Sequence, residues 1–183
     1  VPFAPPRPRP KPAPPAALAC ALAAALVVAP AGAAHAAASS TTCTGPSHVT
    51  FSPGLTLTPQ TVAYTEADSL TCTSTDTTLT SGVLPTYTAS VPNASCDDVI
   101  LPGSGPTYVR WNNGQYSVAT LTYALTATGG TVQETGTGTI TAGEYTGTTA
   151  VFAWAYLSDP LQCLAPGGLT VQNGIVTAQI TGT

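Results

Sequence analysis

Residues 107–128, TYVRWNNGQYSVATLTYALTAT, constrain the fold more than any other stretch. Ala119, Leu121, Tyr123, Leu125 and Ala127 alternate with Thr120, Thr122, Ala124, Thr126 and Thr128. That two-residue period belongs to a strand with one face on a core, because a helix would scatter the same apolar residues around its whole circumference. Asn113-Gly114 precedes the run and tolerates the positive φ of a tight turn, so the spacing predicts a β-hairpin with its register pinned locally. Trp111 enters that turn as a large anchor for a facing sheet.

Similar alternation recurs along the chain. Strands are predicted near 47–52, where Val49 and Phe51 share a face, and 61–73, through Val62, Tyr64, Leu70 and Cys72. Others follow at 80–91, in the two hairpin arms, and at 131–141, 149–157 and 169–181. Glu66-Ala67-Asp68 reads as a bulge or turn interrupting the second strand. Pro85 moves the third to a sheet edge, since proline has no N–H for a ladder. The 149–157 segment is apolar on both faces, with Phe152, Trp154 and Tyr156 on one and Val151, Ala153, Ala155 and Leu157 on the other, which predicts a central strand covered on both sides. Residues 92–106 form the longest irregular stretch. Seven to nine strands give the expected class: all-β, an antiparallel β-sandwich of immunoglobulin-like type, with a small closed β-barrel as the alternative.

Residues 1–36 read as a secretory signal peptide, excluded from the fold. Arg7, Arg9 and Lys11 form a charged start, 16–28 is an apolar run too short to span a membrane stably, and Ala34-His35-Ala36 is a small-residue cleavage site. The remainder, 37–183, is the size of one domain. It keeps eight carboxylates against one guanidinium, Arg110. A surface of that sign repels phosphate backbones and argues against nucleic acid as a partner. Threonine takes the place of charge at 33 positions, being β-branched for strands and hydroxylated for the wet face.

Four cysteines remain after the leader, and an even number in an exported chain implies two disulfides. Cys43 and Cys72 are nearly equidistant from the 53–59 bend and would face each other across a hairpin. The expected pairs are therefore Cys43 with Cys72 and Cys96 with Cys163.

The motifs FSPGLT at 51–56, RWNNG at 110–114, TITAGEYTG at 139–147 and 163–168 resemble landmarks of small secreted Thr- and Gly-rich β-domains of filamentous, high-G+C Gram-positive bacteria. That resemblance implies a secreted β-domain and carries no activity. The Cys96, Trp111 and Cys163 spacing also resembles an immunoglobulin variable domain, although Leu161 stands where the corner tyrosine would be.

Catalytic side chains are sparse. His48 has no G-x-S-x-G nucleophile to serve. His35 exposed by cleavage after Ala34 could form a two-imidazole copper site with His48, but cleavage after Ala36 removes it. Asp97-Asp98 could ligate calcium, against a solvated acidic pair, and paired carboxylates could serve glycoside hydrolysis at a suitable separation. Asn93-Ala94-Ser95 matches a glycosylation sequon. No cofactor, metal or catalytic residue is expected. Trp111, Tyr108, Tyr116 and Tyr145 could form a platform for sugar rings, while Trp111 and Trp154 equally suit the core. The leading expectation is a secreted, non-enzymatic surface or cell-envelope interaction domain whose partner is an extracellular protein or polysaccharide. A carbohydrate-binding module comes second and a small secreted enzyme or inhibitor third.

Overall fold

The computed structural model describes residues 39–96, 103–128, 130–157 and 161–182. The expected leader, His35 and Asp97-Asp98 lie outside the described residues. Eight strands follow one another: β1 (Ser40–Leu55), β2 (Gln60–Ser74), β3 (Ser81–Ala94), β4 (Ser104–Trp111), β5 (Tyr116–Thr128), β6 (Thr131–Gly143), β7 (Thr149–Leu157) and β8 (Leu169–Thr181). A 3₁₀ turn, Gln162–Leu164, precedes β8. Each strand pairs antiparallel with the next, and β8 returns to β1, from Ser40 opposite Thr181 to Leu55 opposite Leu169. The sheet is therefore a closed barrel.

Closure corrects the sandwich and immunoglobulin-like expectation in favour of the barrel alternative. Strict alternation says only that one face is buried, and two stacked sheets or one curled sheet satisfy it equally. The β8–β1 ladder decides between them, since it leaves no end strands to form a second layer.

A single interior also accounts for β7. Ala150, Phe152, Trp154 and Tyr156 point inward and are buried, whereas Leu157 on the other face is 78% exposed. The strand is covered on one side only. Outward positions elsewhere are largely Thr, Ser and Ala, as in Thr61, Ala63, Thr65, Ala67, Ser69, Thr71 and Thr73 of β2. Apolar side chains inside and hydroxyls outside reverse the arrangement of a lipid-facing barrel.

The interior divides into two regions. Where β1 begins and β4 ends, it is filled by Leu70, Leu79, Trp111, Leu121, Ile140, Phe152 and Ile180, all almost fully buried. The Asn113-Gly114 turn works as expected there: Gly114 has φ +84°, and Asn113 Oδ1 accepts from Gln115 N–H at 3.0 Å. Neighbouring Asn112 fastens the hairpin tip to the β2–β3 connection, its Oδ1 accepting from Thr80 and Ser81 N–H and its Nδ2 donating to Thr78 O. Tyr145 spans the same end, its hydroxyl 2.9 Å from Thr41 Oγ1 and 3.1 Å from Ser74 Oγ.

Both expected disulfides are present. Cys43 and Cys72 are direct partners in the β1–β2 ladder, and Cys96–Cys163 ties the segment after β3 to the 3₁₀ turn at the opposite end. The second closes the longer loop, 67 residues in sequence. Replacing both Cys96 and Cys163 by serine is expected to lower unfolding stability by about 3–4 kcal/mol, read as a lower guanidinium midpoint with β-type circular dichroism retained.

Candidate functional site

One seam of the barrel is incomplete. β3 and β4 pair only at Gly82 with Trp111 and Val83 with Arg110, whereas β4 and β5 pair over seven positions. Pro85 on β3 lies two residues beyond the last pair and Pro106 on β4 four residues from it, and neither has an N–H to extend the ladder. The β2–β3 ladder also shifts register here, Glu66 facing Tyr87 but Asp68 facing Leu84, so that Pro85 and Thr86 together oppose Ala67. Pro85 was expected to mark an edge. In the closed sheet it marks instead the place where two neighbours separate.

The gap opens into a cavity of about 500 Å³. Its mouth runs between Pro85–Thr86–Tyr87 on one side and Pro106–Thr107–Tyr108 on the other, with Tyr87 and Tyr108 more than half exposed. The walls are Tyr64, Leu84, Tyr123 and Trp154, and three carboxyl groups, Glu66, Asp68 and Glu134, also line it. Tyr123 is held by Thr107, hydroxyl to hydroxyl at 2.5 Å, and its ring lies 6.3 Å from that of Trp154.

The acids are inside because strand parity puts them there. In β2, Val62, Tyr64, Glu66, Asp68 and Leu70 occupy consecutive inward positions, and β2 runs through Glu66-Ala67-Asp68 without the expected interruption. The bulge lies across the ladder, on β3. Glu134 is an inward residue of β6 opposite Trp154 of β7.

Their hydrogen bonds differ. Tyr64 Oη donates to Glu66 Oε2, and Tyr156 Oη donates to Glu66 Oε1 at 2.7 Å. Ser47 Oγ lies 2.9 Å from Tyr156 Oη and 3.4 Å from Glu66 Oε1. Glu66 is thus bonded at both oxygens. Trp154 Nε1 reaches across the barrel to donate to Asp68 Oδ2 at 2.8 Å, but Asp68 Oδ1 is buried with no hydrogen-bond partner. Glu134 has none among the described residues either, although it is only 8% exposed.

Among the described residues no positive charge compensates this group. Arg110, the sole Lys or Arg in the described residues, is exposed on the outer face of β4. Burial therefore dominates all three titrations. It pushes Glu134 up to about 7, assisted by the neighbouring Glu66 and Asp68 charges. It raises Glu66, with Asp68 adding to the rise and the two tyrosine hydroxyls opposing it, and it raises Asp68 against the opposing influence of the Ser47, Trp154 and Glu66 side chains. Tyr64 and Tyr156 are raised by burial and by Glu66, so they remain donors.

The residues singled out from sequence lie elsewhere. Trp111 is 2% exposed, its Nε1 donating to Ser117 Oγ and its ring edge-on to Tyr145. It fills the core, as does Trp154. Tyr108 and Tyr116 stand exposed on the outer faces of β4 and β5, and only Tyr108 reaches the cavity mouth. His48 is exposed on β1, bonded to Asn173 at 2.7 Å. The signal for the acid cluster was the parity of β2, in which Glu66 and Asp68 keep step with Val62, Tyr64 and Leu70. No family model, curated protein or solved structure matches this chain.

Raised carboxyls fix the sign of the pH dependence. A group whose folded pKa exceeds its unfolded one contributes stability below the unfolded value, and loses it as pH rises through the folded value. For Glu134 the window runs from the ordinary 4.5 to about 7. Unfolding stability is expected to fall by about 2–3 kcal/mol between pH 5 and pH 8 through this group alone. Glu134→Gln should flatten the decline in denaturant titrations and exceed wild type at pH 8; a variant as pH-dependent as wild type would show Glu134 to be solvated.

Proposed function

We propose that the chain is an exported, non-catalytic binding protein that holds one small organic molecule in the cavity between β3 and β4. The supporting observation is the cavity itself: aromatic and apolar side chains line it together with three carboxyl groups, and one of these, Asp68, has a buried oxygen without a partner. An unpaired buried acceptor costs about 1–3 kcal/mol, and a ligand donor would remove that cost. Eight-stranded barrels have an interior just wide enough for side chains or for one small ligand, and a cavity of this size with few polar groups suits the latter. Export fits the two disulfides, which persist in oxidising surroundings. Among the described residues no helix is long and apolar enough to cross a membrane.

A saccharide is the second reading, favoured by the exposed Tyr87 and Tyr108 rings flanking the mouth. Retention on chitin, cellulose or peptidoglycan that is lost in a Tyr87→Ala, Tyr108→Ala variant would select it.

Gly105 provides the direct test of the cavity. It lines the space opposite Leu121 of β5, and a Cβ there would meet only Tyr123 Cε2 at 3.9 Å. Gly105→Phe should fill the cavity without straining the strand. The neutral fluorophore N-phenyl-1-naphthylamine is expected to show saturable one-to-one fluorescence enhancement with the native protein and none with this variant. Absence of saturable binding, or equal binding by both proteins, would refute a cavity site.

A further inference from the structure

We propose that the ligand is a small arylalkyl ammonium ion whose N–H groups reach Asp68 and Glu134 while its ring lies against Trp154 and Tyr123. This specifies the ligand-binding reading above and rests on it.

The unused hydrogen-bonding capacity of the cavity selects the head group. Glu66 is bonded at both oxygens, whereas Asp68 Oδ1 is buried without a donor and the Glu134 carboxyl lines the cavity with no hydrogen bond from the described residues. Filling two acceptors takes a group with at least two hydrogens. A primary ammonium has three, and a quaternary ammonium has none. Charge narrows the choice further: three carboxyl groups line the cavity, and the single guanidinium of the described residues is outside it. A carboxylate or phosphate ligand would add to that negative charge, while an ammonium would compensate it in a medium where charge pairs are strong.

A metal ion would also supply charge. Among the described residues, however, no three His, Cys, Asp or Glu side chains are placed to share one. The walls point to an organic body instead. Tyr123 and Trp154 form an adjoining aromatic surface, with Tyr64 and Tyr87 edge to face nearby at 6.3 Å. Such faces accept an aryl group and attract a cation.

Ammonium binding favours the ionised carboxylates, so it competes with their protonation. The titratable groups around Glu134 are Tyr123 on β5, Tyr87 on β3, Tyr64, Glu66 and Asp68 on β2, and Tyr156 beyond Glu66 on β7. None of them is cationic, and nothing in the cavity substitutes for the ligand's charge.

Calorimetry with three indoles of similar size tests the assignment: tryptamine (cation), tryptophol (neutral) and indole-3-acetate (anion). At pH 8 tryptamine is expected to bind one-to-one, about ten-fold or more tighter than tryptophol, with no binding of indole-3-acetate. With Glu134 titrating at about 7, tryptamine affinity should fall about thirty-fold between pH 8 and pH 5.5. Asp68→Asn and Glu134→Gln should each weaken tryptamine about ten-fold or more, while the neutral naphthylamine probe still binds and certifies a folded pocket. Tryptophol binding as tightly as tryptamine, or tryptamine binding indifferent to both substitutions, would overturn the ammonium assignment. So would failure of tryptamine to bind a protein that takes the neutral probe. Failure of the probe as well would remove the pocket itself.

Discussion

Pairing β8 with β1 leaves the molecule a single interior, and every inward-facing side chain has to share it. In a closed barrel, the register around the ring fixes which alternate residues are inside, and a one-residue slip would turn out the whole set. Phe152, Leu121 and Ile180 are held in place by this rule, and so are Glu66, Asp68 and Glu134. The carboxyl groups are as much products of closure as the core is.

The same closure makes the β3–β4 gap informative. A barrel normally disposes of exposed sheet edges, and this one reopens two of them where Pro85 and Pro106 cannot continue a ladder. Those prolines also block the pairing of a foreign strand along the open edges. Beside the opening, the barrel carries acids that destabilise the unliganded fold as pH rises. The fully packed end, the two disulfides and the Asn112 and Tyr145 anchors hold the remainder of the sheet around it.

Much of the architecture was legible in the residues. Alternation in 119–128 and 149–157 located strands, Asn113-Gly114 located a turn, and equal spacing about the 53–59 bend paired Cys43 with Cys72. Closure was not legible, because one-sided burial looks the same in a sandwich and a barrel. β7 was misleading for a related reason: Val151, Ala153 and Ala155 are small enough to sit on an outer face, so their apolarity did not signify a second cover. The site was half visible. Glu66 and Asp68 share the inward parity of Val62, Tyr64 and Leu70, yet charges in a strand are ordinarily taken as a break. Glu134 could be joined to them only through the ring of pairings from β2 to β6, which no local pattern encodes.

The central claim is that three carboxyl groups lie inside the barrel with no counter-charge among the described residues. Site-resolved NMR titration of the side-chain carboxyl carbons measures it most directly. In ligand-free protein, Glu66, Asp68 and Glu134 are expected to titrate above the exposed carboxylates, with Glu134 centred near 7. Midpoints for all three in the ordinary range near 4 would place these groups in water and contradict the account.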